Sequence, residues 1–153
     1  MDVRSQRPPL NRHVAHAALR SNLAGFARAD DRAGWNGRAG LGRFLQQLLE
    51  RARAADPEAL AETYRFGWAM QAQTYLHAEL LRAKGNEWRL ASMAEAGRAV
   101  ESVAYAWTGL RVTAAHGRHA PAQAAADLHR HAGRLERAYD RALARVAAAV
   151  ESL

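Results

Sequence analysis

The sequence predicts an all-α protein: an antiparallel four- to five-helix bundle with a helix 3–helix 4 hairpin and a long C-terminal helix. Three observations carry this. The chain has only four prolines, at Pro8, Pro9, Pro57 and Pro121, each at or before the start of a predicted helix. Runs of alternating polar and β-branched residues are absent, which excludes a sheet. Apolar residues instead recur at three- and four-residue spacing over long stretches.

Helix one is predicted over Leu10–Ala29, with Val14, Leu19, Leu23 and Phe26 on its apolar face. The following "DDRAGWNGRAGLG" holds four glycines and an Asn-Gly pair, the composition of a loop. Its Trp35 is the one aromatic expected in a loop, exposed or lying as a lid on the bundle end. Helix two follows over Leu41–Ala54, with Leu41, Phe44, Leu45, Leu48 and Leu49 facing inward.

"DPEAL" opens helix three. Asp56 caps, Pro57 suits the first turn, and Glu58 favours the positive end of the helix. The periodicity extends it to about Ala83, with Leu60, Tyr64, Trp68, Tyr75 and Leu76 as the expected core face. "KGN" then predicts the turn: Lys84 favours the negative helix end, Gly85 takes the left-handed cap, and Asn86 caps the next helix. So short a connection makes helices three and four an antiparallel hairpin.

Helix four is predicted over Glu87–Ala115 through Leu90, Met93, Val100, Val103, Trp107 and Leu110. Its small residues Ala91, Ala94, Gly97, Ala104 and Gly109 predict close helix packing. After "HGRHAP", Pro121 opens helix five, which runs nearly to Leu153 with Leu128, Leu135, Tyr139, Val146 and Val150 inward. No repeat or linker divides the chain, so residues 10–153 read as one domain behind a flexible basic arm, residues 1–9.

The chain has 153 residues, enough for one core, and is 49% hydrophobic and 24% charged. It has no cysteine, which excludes thiolate chemistry and disulfides. The opening residues lack an apolar run, and no stretch approaches the roughly eighteen apolar residues of a membrane span. A cytoplasmic, prokaryotic location with no membrane partner is expected. Net charge is +7, which attracts polyanions. Of its basic residues only Lys84 is lysine.

"HRHAGRLERAYDRALARV" concentrates that charge. Arg130, Arg134, Arg137, Arg141 and Arg145 fall within an arc of roughly 80° on helix five, opposite its apolar residues. Asp127 reaches Arg130 and Asp140 reaches Arg137, but Arg134, Arg141 and Arg145 have no acid one turn away. Like-charged neighbours at this spacing cost about 0.2–0.5 kcal/mol each. A solvated polar face explains part of the pattern. A phosphate track explains its single sign, because guanidinium groups one turn apart pair with successive backbone oxygens of RNA or DNA. Arg4, Arg7 and Arg12 would add to it. The expected partner is nucleic acid or an acidic protein, with a homo-oligomer or a larger complex as the setting. Trp68, Tyr75 and Trp107 sit at core spacing, so no platform for stacking bases is expected.

Catalytic and metal chemistry finds little support. His13/His16 and His116/His119 are each three apart, but neither pair has a carboxylate in register, and neither Glu95 nor Glu101 is followed by a histidine at the third position. No metal or other cofactor is expected. His77, among apolar residues, reads as a partly buried core histidine. "RVTAAH", Arg111 to His116, resembles the R-x4-H spacing of the HEPN ribonucleases, a family that is also all-helical. That resemblance implies RNA cleavage at a site composed from two protomers, with Arg111 and His116 as its residues. Val112 departs from the polar residue usual after that arginine.

Overall fold

The computed structural model describes residues 10–28 and 37–153. These form five α-helices and no strand: α1 (Arg12–Ala27), α2 (Gly37–Arg53), α3 (Pro57–Trp88), α4 (Ala91–Gly117) and α5 (Pro121–Val150). The architecture is the expected all-α antiparallel bundle. The basic arm and Trp35 lie outside the described residues.

Side-chain caps set the starts of α1 and α3. The Asn11 side chain accepts from the Val14 amide at 2.9 Å. Asp56 accepts from the Glu58 amide at 2.9 Å, with Pro57 in the first turn, as its sequence context predicts. Arg51, at the end of α2, binds Asp56 at 2.7 Å and Glu62 at 2.5 Å, tying α2 to the start of α3.

The α3–α4 turn differs from the expectation. The helix does not stop at Ala83; it continues through Lys84, Gly85 and Asn86 to Trp88. The left-handed residue is Arg89, at φ 55° and ψ 43°, and the Leu90 amide donates to the Gly85 carbonyl at 2.8 Å. The reason lies in packing. A Cβ on Gly85 would stand 2.6 Å from the Ala94 amide nitrogen, so the glycine serves the close crossing of α4, not the turn. Lys84 points instead at Glu87, 2.6 Å away, with its ammonium 5.7 Å from the Trp88 ring.

α2 also begins earlier than expected, at Gly37 within the predicted loop. Arg38 in its first turn binds Glu136 and Asp140 of α5, both at 3.0 Å, and holds that turn down. Gly37 has φ +63°, and a Cβ there would strike the Phe26 carbonyl where α1 approaches.

The buried face of α3 is a second departure. Of Leu60, Tyr64, Trp68, Tyr75 and Leu76, only Leu60 is buried. The inward residues are Ala59, Leu60, Thr63, Gly67, Ala78, Leu81 and Gly85. This stripe is mostly small, so α4 comes close and the aromatics are turned outward. Gly97 of α4 completes the fit, since a Cβ there would lie 2.9 Å from the Ala78 carbonyl. Of the small residues of α4, Gly97, Ala104 and Gly109 serve packing as expected, whereas Ala91 is exposed.

The helices stack in order. Arg82 of α3 binds Glu101 of α4 at 2.8 Å. Trp107 of α4, 1% exposed, donates its indole N–H to the Tyr139 hydroxyl of α5 at 3.0 Å. α4 thus lies between α3 and α5 as the centre of a three-helix layer. α1 and α2 cover one side of it. The Phe44 ring of α2 meets Phe66 and Trp107, and Phe26 of α1 stacks on Tyr139 with centroids 5.3 Å apart. One apolar core draws on all five helices.

Candidate nucleic-acid interface

All five arginines of the α5 row are exposed. Arg130 pairs with Asp127, and Arg145 with Glu95 of α4 at 3.5 Å. Asp140 does not serve Arg137, because it and Glu136 face the opposite flank and are taken by Arg38. Among the described residues, Arg134, Arg137 and Arg141 have no ion pair. Glu136 and Asp140 fasten α2, and Arg134, Arg137 and Arg141 are left facing water.

The field of this row reaches its neighbours. His131 packs its imidazole where a Cβ on Gly109 would stand. Its pKa is lowered, first by burial and then by Arg134 and Arg130.

The middle helix extends the surface. Arg98, Tyr105 and Val112 are seven residues apart, hence one stripe of α4, and all are exposed. Trp107, which meets α2, points away from that stripe by the same helical phase. The stripe and the arginine row therefore share the side of the layer that α1 and α2 leave open.

Arg4 and Arg7 lie outside the described residues. Arg12 starts α1 and donates to the Trp88 carbonyl at 2.8 Å, so it joins α1 to the end of α3.

Arg111 and His116 diverge. The Arg111 guanidinium lies 4.2 Å from the Trp68 ring centroid and 5.3 Å from that of Tyr64, and donates to Gln71 at 3.1 Å. His116 turns towards α5 and lines a shallow cleft with Thr113, Gln123 and Asp127. The two make no contact with each other among the described residues.

The exposed aromatics correct the sequence reading. Trp68 is 57% exposed and Tyr105 64%, with Tyr75 also outside the core. Only Trp107 is buried as its spacing predicts. The overlooked signal is the small-residue stripe of α3, at Ala59, Thr63, Gly67, Ala78 and Gly85, which competes with the aromatic stripe for the inward position.

A cavity of about 670 Å³ opens between α1, α3, α4 and α5, lined by Leu19, Met70, His77, Val100 and Tyr139 among others. Burial lowers the His77 pKa. Among the described residues, no cluster of three or more His, Asp or Glu side chains is gathered for a metal, and no helix is long and apolar enough to cross a membrane.

Among the described residues, fold and surface together define an all-α bundle of five helices with a cationic face on α5. Comparison with known proteins finds no matching family model and no match among curated proteins.

Proposed function

We propose that the chain is an accessory, non-catalytic protein that binds the phosphate backbone of RNA or DNA along α5. One observation carries this reading: five exposed arginines in a row, of which Arg134, Arg137 and Arg141 lack an ion pair among the described residues. A solvated helix face gains from mixed charge, whereas a row of one sign costs self-repulsion that a polyanion relieves. Guanidinium groups also match phosphate oxygens two at a time. Contacts of this kind position a backbone without reading its sequence.

The test is oligonucleotide anisotropy at two salt concentrations. Affinity should fall steeply with salt, and R134E/R137E/R141E should weaken it at least tenfold for every sequence tried. The same reversal at Arg20, Arg28 and Arg53, exposed residues off the row, should cost far less. Equal losses for the two triple variants would reduce the effect to net charge and remove α5 as the site.

A further inference from the structure

Six of the nine large apolar side chains exposed among the described residues belong to α3: Tyr64, Phe66, Trp68, Tyr75, Leu76 and Leu80. Phe66 packs on Phe44 and Trp107, but Trp68, Tyr75 and Leu76 share one outer face, and an exposed apolar face of this kind marks an interface. Its chemistry specifies the occupant. The side of α3 opposite its small-residue seam carries Ala61, Arg65, Trp68, Ala69, Ala72, Tyr75, Leu76, Glu79 and Ala83, with the Arg111 guanidinium of α4 reaching the Trp68 ring at its margin. At 100° per residue these fall within about 120° of arc.

The pattern is symmetric about Ala72. Three residues to either side stand Ala69 and Tyr75, at four Trp68 and Leu76, at seven Arg65 and Glu79, and at eleven Ala61 and Ala83. An antiparallel copy of the same helix, related by a two-fold axis at Ala72, would meet every one of these with its complement. Trp68 would lie against Leu76, Ala69 would make room for Tyr75, and Arg65 would face Glu79 twice. A parallel copy would set Arg65 against Arg65. We infer that α3 is the surface on which a second copy of this chain docks, antiparallel, as an isologous dimer.

The charges set direction, and the apolar residues supply the attraction. Arg65 now pairs with Glu58, and Glu79 with Arg82. The Arg65–Glu58 pair is exposed, and Arg82 keeps Glu101 as a partner when Glu79 turns away, so exchanging partners costs little. The face is about 33 Å long. One helix pair is small beside the roughly 800 Å² per partner of a standard interface, so dissociation at roughly 10–100 µM is expected. This dimer does not depend on the α5 reading.

The experiment is sedimentation equilibrium of the nucleic-acid-free chain in high salt, where polyanion bridging is suppressed. A monomer–dimer equilibrium is expected. Ala72→Glu should abolish it with unchanged helical circular dichroism, while Val14→Glu, at an exposed apolar site on α1, should leave it intact. R65E and E79R should each weaken it at least fivefold, and R65E/E79R should restore it. A wild-type chain that stays monomeric to millimolar concentration, an Ala72→Glu dimer, or a swap that fails to rescue would overturn the inference. R134E/R137E/R141E should dimerise normally, which separates this surface from α5.

Discussion

His77 lines the cavity beneath α1 without a hydrogen bond or ion pair to the described residues, and burial alone lowers its pKa. His131 is lowered too, by burial and then by two arginines. Both folded-state values lie below the ordinary 6.5, so the unfolded chain binds more protons between the two. The sign is therefore fixed: folding stability is whole above that value and declines as pH falls through it. Denaturant midpoints at pH 8 and pH 5.5 should show the loss, and His77→Gln should flatten the difference. A midpoint that rises on acidification would contradict this account. The sequence suggested a partly buried histidine at position 77, but not the cavity beside it, which only the placement of α1 creates.

At the level of elements, the α3–α4 hairpin separates two roles that the sequence merges in one glycine. Gly85 is a packing residue, and Arg89 supplies the left-handed turn. Ala is the better helix former by about 1 kcal/mol, yet Gly85→Ala should destabilise by about 1–3 kcal/mol because its methyl meets backbone. Arg89→Gly should stabilise by about 0.5–1 kcal/mol by removing a Cβ from a left-handed residue. Thermal unfolding of the two variants checks both, and a helix ending at Ala83 would give neither result. The existence and order of the helices were legible because caps and prolines act locally, as at Asp56–Pro57. The inward side of α3 was not. Tyr64 and Trp68 have the right period for a core, but bulk prevents them from occupying the thin seam that Ala78 and Gly85 create with α4.

At the level of the molecule, the three-helix layer has one side covered by α1 and α2 and one side open. The arginine row on the open side was legible in phase and sign. The lack of an ion pair at Arg137 was not, since the capture of Asp140 by Arg38 is a contact 102 residues distant. An antiparallel α3 pair has its two-fold axis normal to the layer, so both α5 rows would face the same way, about 45 Å apart at ordinary helix spacing. Ala72→Glu should then weaken binding of a roughly 50-nucleotide strand severalfold and leave a roughly 10-nucleotide strand unaffected. Equal losses on both strands would place the effect on a single protomer.

Lys84, with its partner Glu87 at the hairpin, has one more bearing on the surface. It is the sole side-chain amine of the protein, and α5 carries its cations as arginine alone. Acylation, which silences ammonium groups elsewhere, has nothing to act on along that helix, and no physiological acidity discharges a guanidinium. The positive track is permanent, and a fluorophore joined through Lys84 would report on it without touching it.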